Sequence, residues 1–194
     1  MWWWFVLLPA CTNVGALGET TTWTNSSIVS TTETAMTLVE TTSFDPSSLP
    51  AGENPCREPS QVEVTYVVDG DTIWGVSEGV EGSFRLIGFN TPELSYAGSA
   101  AECWGDEARA AMMSLLDEQE VWISFDSDCY DDYDRLLVYL HAGESGGRFV
   151  NKNMLANGHG DVMTIEPNST YKNQFQAAKA LAQAKGFGLW GACY

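Results

Sequence analysis

The feature that most constrains the fold is a series of three short strand-like segments that follow one another closely in the middle of the chain. Residues 62–68 alternate β-branched with polar side chains and end at Asp69-Gly70, a pair typical of tight turns between strands. Residues 71–77 and 82–88 have the same character, and a Gly- and Glu-rich stretch joins them. Three consecutive strands with such short connections predict a β-meander.

The remainder of the chain adds two strands and three helices. A helix is predicted over 105–118, where apolar residues recur at i, i+3 and i+4. Two strands are predicted over 120–126 and 135–141, and two helices over 149–156 and 173–185, the last one closed by Gly186. Together these elements predict an α+β fold, a five-stranded β-barrel of the oligonucleotide/oligosaccharide-binding (OB) type with about three helices.

The segment before the barrel has a different composition. Residues 12–60 are rich in Thr, Ser, Glu and Pro and contain few periodic apolar positions, so they cannot easily bury a core. We therefore predict a disordered tether over 12–60 and a folded domain over 61–194.

The first ten residues are almost wholly apolar, yet they are too short to cross a bilayer as a helix of about 20 residues. Leu8-Pro-Ala-Cys11 resembles the lipobox of bacterial lipoproteins, which implies a signal segment over 1–11, lipidation of Cys11 and attachment to a membrane. Pro9 and the lack of a basic residue before the apolar run depart from that pattern. The alternative is an ordinary cleaved signal, with Cys11 removed or free. Both interpretations predict export, either as a periplasmic or surface lipoprotein or as a secreted protein.

Four further cysteines lie within or close to the predicted domain. Cys56, Cys103, Cys129 and Cys193 form no C-x-x-C pair, so they do not resemble a zinc site. They fit two disulfides formed in an oxidising compartment, and the sequence alone permits three pairings.

The charge balance excludes one class of nucleic-acid-binding protein. A formal net charge of −17 and a pI near 4.2 argue against a broad cationic surface, because neutralising phosphates requires clustered Lys and Arg. Any chemistry on nucleic acids must therefore be local and assisted by a metal ion.

Several motifs resemble, in order and spacing, the signature of the staphylococcal nuclease family. They are Asp69–Thr72 (Asp-Gly-Asp-Thr), Phe84–Glu93, Trp104–Ala108, Asp132–Tyr139 and Gly186–Trp190. The resemblance extends over about 62–190. It implies a calcium-dependent endonuclease that hydrolyses phosphodiester bonds in DNA or RNA, and we expect it to act as a monomer.

Residue chemistry supports that expectation independently. Phosphodiester hydrolysis needs a nucleophilic water, a cation on a phosphate oxygen and positive donors where negative charge builds up. Asp71 is a hard oxygen donor of the kind that calcium prefers. Arg85 lies in an otherwise apolar strand, a costly position unless its guanidinium reaches a cleft or a partner. Pro92 restrains the backbone before Glu93.

The family resemblance assigns a role to each site residue. It implies calcium ligands at Asp71, Asn90 and the carbonyl of Thr91; phosphate clamps at Arg85 and Arg135; a general base, or a group orienting the attacking water, at Glu93; and a phosphate-binding hydroxyl at Tyr133.

The chain departs from the family pattern at several positions near this site. Asn90 replaces an aspartate ligand, which predicts weaker calcium binding or a changed preference among divalent ions. Asp132 replaces a lysine, and Met163 and Ile165 replace two tyrosines that frame the nucleotide. Base stacking and phosphate attraction should both be weaker.

We predict that Cys103 pairs with Cys129, because both lie in loops that bear on the predicted site. Cys56 and Cys193, which flank the domain, then pair with each other.

Two rival functions are compatible with parts of the sequence. One is a non-catalytic nucleic-acid- or ligand-binding module with the same barrel, against which the joint retention of Asp71, Arg85, Glu93 and Arg135 argues. The other is a disulfide-stabilised adhesin or spacer, with glycan acceptor motifs at 25–27 and 168–170.

Overall fold

The computed structural model describes residues 44–95, 100–117 and 119–194. The predicted signal segment, Cys11 and the tether up to residue 43 lie outside the described residues. The strands are β1 Ser60–Val67, β2 Thr72–Ser77, β3 Val80–Leu86, β4 Gly88–Asn90, β5 Val121–Ser124, β6 Leu136–Ala142, β7 Arg148–Phe149 and β8 Asp161–Met163. The α-helices are α1 Gly105–Leu116, α2 Val150–Ala156, α3 Lys172–Lys185 and α4 Leu189–Ala192, and short 3-10 helices cover Pro46–Ser48 and Glu144–Gly146. Within the described ranges, no helix combines the length and the apolar character needed to cross a bilayer.

Five of the strands close into a barrel. Strands β1, β2 and β3 form the predicted antiparallel meander, β3 runs parallel to β6, and β5 pairs antiparallel with both β6 and β1. The predicted five-stranded OB-like barrel with helices is therefore confirmed. The sequence analysis did not predict β7, at the edge of β6, or the β4–β8 pair, because strands of two or three residues are too short to show periodicity.

The barrel interior is filled by alternate residues of the strands. Ile73 is fully buried, and Phe84 and Leu86 are 3% and 0% exposed, which places Arg85 between them on the outer face. Helix α3 covers the β3–β4 connection and ends at Gly186, whose left-handed φ of 61° is the predicted helix cap. Its Phe175 packs so closely on Gly88 (φ 90°) that a Cβ there would lie 2.2 Å from the ring. The helices and barrel thus share one core.

The domain begins earlier than the predicted boundary at residue 60. Leu49 is 6% exposed, Gly52 N–H donates to the Phe125 carbonyl at 2.8 Å, and Cys56 N–H donates to the Asp126 carbonyl at 2.8 Å. A Cβ on Gly52 would overlap the Asp126 side chain. Residues 44–59 therefore pack on the barrel through backbone hydrogen bonds and few apolar contacts, which composition does not reveal.

The predicted disulfide pairing is wrong. Cys56 bonds to Cys129 and Cys103 bonds to Cys193, with Cα–Cα distances of 5.7 and 6.0 Å. The backbone contact of Cys56 brings it to the loop that contains Cys129, whereas α4 carries Cys193 to the loop before α1. The bonds span 73 and 90 residues, and in the chain-entropy model each stabilises the fold by about 4 to 5 kcal/mol.

Candidate functional site

The centre of the site is a buried ion pair between Asp71 and Arg85. Asp71 lies at the start of β2, and the register of β2 and β3 places its neighbour Thr72 opposite Arg85. Arg85 Nε lies 3.1 Å from Asp71 Oδ1, and each residue is 5% exposed. The Arg85 guanidinium thus has a charged partner, and that partner is a residue of the same predicted site.

The chain immediately after β3 wraps around the guanidinium of Arg85. Its Nη1 donates to the Leu86 carbonyl, and its Nη2 donates to the Phe89 carbonyl at 3.1 Å and to Asn90 Oδ1 at 2.8 Å. These contacts explain how an arginine is tolerated in this position, since its N–H groups replace water with carbonyl oxygens. Among the described residues, one Nη1 N–H has no acceptor.

The three predicted ligand residues lie in one hydrogen-bonded group. Thr91 N–H and Oγ1 donate to Asp71 Oδ2 at 2.8 and 3.2 Å, and Asn90 Nδ2 donates to the Thr91 carbonyl at 3.1 Å. Within the described ranges, no group of three His, Cys, Asp or Glu side chains is arranged to hold a metal ion. The predicted set contains a single carboxylate, together with one amide and one carbonyl oxygen.

The hydrogen-bonded group around Asp71 contains a carboxyl whose pKa is shifted. Burial raises the pKa of the Asp71 carboxyl to about 6, despite the opposing effect of Arg85, and the charge of Asp69 raises it further. Asp69 Oδ1 also accepts the Asp71 N–H at 2.9 Å. The sequence analysis missed Asp69 as a site residue, although it belongs to the Asp-Gly-Asp-Thr motif.

The charges of Glu93 and Arg135 also act on Arg85. Burial has the largest effect on the pKa of Arg85 and lowers it, while the charge of Asp71 raises it. Among the smaller effects, the charge of Arg135 lowers this pKa and the charge of Glu93 raises it. Asp71, Glu93 and Arg135 therefore all lie close enough to Arg85 for their charges to act on it.

Glu93 lies in an exposed loop with a fixed backbone. Its N–H donates to Glu102 Oε2 at 3.0 Å, and Glu102 N–H returns a bond to the Glu93 carbonyl at 2.9 Å. Helix α1 begins against this loop, because a Cβ on Gly105 would lie only 2.7 Å from the Glu93 carbonyl oxygen. Glu102 is a positioning residue that the sequence analysis missed.

Arg135 is held at the start of β6 by Asp131. Its Nε donates to Asp131 Oδ2 at 2.7 Å, and its guanidinium lies 5.5 Å from the ring centroid of Tyr133. Tyr133 is 80% exposed. Asp131 was not predicted, because its side chain meets that of Arg135 only when the turn between them has formed.

Arg85 and Arg135 open into the same pocket, of about 360 Å³. Tyr133 and the positions that depart from the family pattern, Asp132, Met163 and Ile165, also line it. Further acidic lining comes from Asp128, Asp131 and Glu166. Asn90 and Thr91 instead line a second pocket of about 420 Å³, beside Glu102 and Asp161. The site therefore adjoins two cavities: Arg85 and Arg135 line one, and Asn90 and Thr91 line the other.

This arrangement can bind an anionic group between two guanidinium groups, with a carboxylate-containing oxygen cluster behind one of them. Arginine pairs suit phosphate and carboxylate oxygens, whose negative charge they stabilise.

Comparison with known proteins identifies one family and several relatives. The family model for "Staphylococcal nuclease homologue" matches residues 83–192, more than half of the chain. The chain is 28% identical over 131 residues to Endonuclease YncB of Bacillus subtilis, covering 66% of this chain and 61% of that protein. It is 29% identical over 136 residues to the SPbeta prophage-derived endonuclease YokF of the same organism, covering 69% and 45%. Thermonuclease of Staphylococcus hyicus is 28% identical over 128 residues, covering 66% and 74%. The chain thus spans less than two thirds of the length of the two Bacillus relatives.

Proposed function

The chain belongs to the staphylococcal nuclease family, and from this membership we propose that it is a nuclease that hydrolyses phosphodiester bonds in DNA or RNA. The single observation that carries the proposal is the buried Asp71–Arg85 pair, whose guanidinium opens into the same pocket as Arg135. The nuclease names of the relatives agree with it.

In this proposal the two arginines bind the scissile phosphate. Binding a phosphate through two N–H groups would require Arg85 to release one of its present contacts, and the contact with Asn90 is the only one of the three carbonyl and amide contacts that is part-buried rather than buried. Arg135 keeps a third of its side chain exposed beside Asp131. Both groups are held in place before substrate arrives, which is how fixed donors stabilise charge that develops on phosphate oxygens.

The oxygens of Asp71, Asn90 and Thr91 fit a hard divalent cation, which family resemblance identifies as calcium. They lie in one hydrogen-bonded group, and burial raises the pKa of Asp71 even though the ion pair with Arg85 opposes it. When bound, such an ion polarises a phosphate oxygen and lowers the pKa of a coordinated water. Because Asn90 contributes no charge, we propose weaker calcium binding than a second carboxylate would provide.

Glu93 is proposed as the general base, or as the residue that orients the attacking water. Its side chain is exposed, so it reaches solvent water, while the reciprocal bonds with Glu102 fix its backbone. The water proton would pass to a Glu93 carboxylate oxygen as the new P–O bond forms and the bond to the leaving oxygen breaks. Tyr133, at the pocket mouth, is proposed to donate its hydroxyl to a phosphate oxygen.

We also propose that the protein is exported and acts as a monomer. All four cysteines of the described residues form disulfides, which are typical of oxidising compartments. Lipidation of Cys11 remains a prediction, and loss of membrane association in a Cys11→Ser variant would support it.

One assay tests the proposed function. The full chain is incubated with single-stranded DNA, duplex DNA and RNA, with calcium or with a chelator. We expect calcium-dependent cleavage that falls by roughly 100- to 1,000-fold in Arg85→Ala and in Glu93→Ala. The matched control is Arg148→Ala, because Arg148 is an exposed arginine outside the site. Binding without cleavage by the folded wild-type chain would instead indicate a non-catalytic module.

A further inference from the structure

Two aromatic side chains are exposed side by side on the barrel wall that carries Arg85. Tyr66 and Trp74 are 54% and 42% exposed and lie directly opposite each other on β1 and β2. Side chains in such cross-strand pairs lie close enough to form one continuous surface. Exposure of the two rings does not stabilise the fold, because their burial would be more favourable.

The strand register places this pair on the same face as the site. Thr72 lies opposite Arg85, and Trp74 is two residues further along β2, so its side chain points to the same side of the sheet. The separation along β2 is about 7 Å. The intervening Ile73 and its partner Val67 point into the core instead.

Helix α1 supplies a cation at the edge of the aromatic pair. Arg109 Nη2 donates to the Tyr66 hydroxyl at 2.9 Å, its Nε donates to the Val67 carbonyl at 3.0 Å, and its guanidinium carbon lies 5.1 Å from the centroid of the Tyr66 ring. The preceding residue, Ala108, packs against Gly70, which adjoins Asp71. Helix α1 therefore packs against the turn that precedes Asp71, and this contact holds Arg109 close to that turn.

The charge of the protein indicates what such a surface binds. The chain carries −17, and four carboxylates line the pocket shared by Arg85 and Arg135, so long-range attraction cannot hold a polyanion near the site. Stacking of bases on aromatic rings does not depend on net charge and tolerates any base sequence. Arg109 adds a local positive charge for a phosphate beside the stacked base.

We propose that Tyr66, Trp74 and Arg109 form a platform that binds single-stranded nucleic acid by base stacking, outside the catalytic pocket. This inference rests on the proposed nuclease function, since it concerns the same substrate. Bases of a single strand are free to stack on protein side chains, whereas those of a duplex are stacked on one another. The platform would therefore favour single-stranded over duplex substrates.

The test separates binding from cleavage. Fluorescence anisotropy measures binding of a labelled oligothymidylate of about 12 nucleotides, within the ~4–16 nucleotides that one OB fold holds, to the full chain in chelator. Trp74→Ala should weaken binding roughly 5- to 100-fold, whereas Trp74→Phe should retain most of it. The matched control is Phe187→Ala, because Phe187 is also 42% exposed and has Lys185 5.3 Å from its ring centroid.

Cleavage assays with calcium complete the design. Trp74→Ala should raise KM for the long oligonucleotide without changing kcat or the cleavage of a dinucleotide. Unchanged binding by a folded Trp74→Ala protein, or no binding by the wild type, would overturn the platform. A wild-type dimer that Trp74→Ala dissociates, with oligonucleotide binding unaffected, would also overturn it and assign the surface to a second copy. Wild-type binding that depends on Trp74, without any cleavage, would leave the platform standing and refute the nuclease function instead.

Discussion

Two buried aspartates in this domain are held in different ways. Asp71, in the candidate site, pairs with Arg85 and has Asp69 beside it. Asp126 is fully buried, and every hydrogen bond that its oxygens accept from the described residues comes from an uncharged donor: the Tyr139 hydroxyl at 2.6 Å and the N–H and hydroxyl groups of Ser127 and Thr170. Both carboxylates are satisfied, but only Asp71 lies among other charged groups.

The difference is the one expected between a functional and a structural buried charge. Asp126 connects β5, β6 and the loop before α3, and the N-terminal segment docks beside it through Cys56 and Gly52. Its hydrogen bonds hold loops together and leave no open side. Asp71 belongs to a cluster next to two pockets, where burial raises its pKa to about 6. Strongly shifted groups in clefts are candidates for function.

The same substitution at each aspartate tests this distinction, and the largest effect is expected at Asp71. Asp71→Asn keeps the shape but removes the only carboxylate of the proposed ligand set, so activity should fall by at least about 100-fold at saturating calcium. Initial rates of oligonucleotide cleavage measure it. Activity within a few-fold of wild type would remove Asp71 from the mechanism.

Asp126→Asn should act on stability instead. The new amide NH₂ faces donors, and the backbone N–H groups of Ser127 and Thr170 cannot turn away, so the free energy of unfolding should fall by about 2 to 3 kcal/mol. Thermal unfolding would then shift down by roughly 5 to 10 °C. Cleavage per folded molecule should stay near wild type; a large loss of kcat in protein shown to be folded would break the comparison.

His141 extends the comparison to a buried group without a charge partner. Its Nε2 lies 2.9 Å from Ser124 Oγ, whose hydroxyl donates to the Pro50 carbonyl, and burial lowers the pKa of His141 to about 4. The unfolded chain takes up a proton on His141 near pH 6.5, whereas the folded chain does not. The stability that neutral His141 contributes is therefore fully present above that pH and is lost as the pH falls from 6.5 towards 4.

We therefore expect wild type to lose about 2 kcal/mol more than His141→Gln between pH 7 and pH 5. Urea unfolding at the two pH values measures this difference. Equal losses in both proteins would show that His141 takes up its proton in the folded state.

The smallest expected effect is at Asn90. Asn90→Asp adds a second carboxylate to the proposed ligand set, which should lower the calcium concentration for half-maximal activity about five-fold. Calcium titration of cleavage provides the measurement. Asp132→Asn serves as the control, because it changes charge in the arginine pocket but not among the ligands. An unchanged midpoint in Asn90→Asp would count against a ligand role for this residue.

Local sequence patterns were sufficient for the barrel, whereas most of the site residues were expected from the family resemblance. The alternation in 62–68 and the Asp69-Gly70 turn predicted the meander, because side-chain period and turn chemistry act over a few residues. The apolar strand around Arg85 indicated that its guanidinium had to meet a partner. Glu102, Asp131 and Asp69 were missed because a positioning residue has no pattern of its own and is defined by what it contacts.

Long-range features could not be predicted in the same way. Cys56 and Cys129 meet only because residues 44–59 run along the end of β5, and Cys103 meets Cys193 only because α4 returns to the loop before α1. Four cysteines permit three pairings, and the sequence analysis chose one of the two wrong ones.

By itself, the sequence determined the fold class, the five barrel strands and the longer helices, since these depend on short-range periodicity; the residues around Arg85 were expected from the family resemblance. Only the tertiary structure decided where the domain begins, which cysteines pair, and which surfaces adjoin the site, including the exposed Tyr66–Trp74 pair. These depend on contacts between residues far apart in the chain, and closing such long loops leaves no local trace in the sequence.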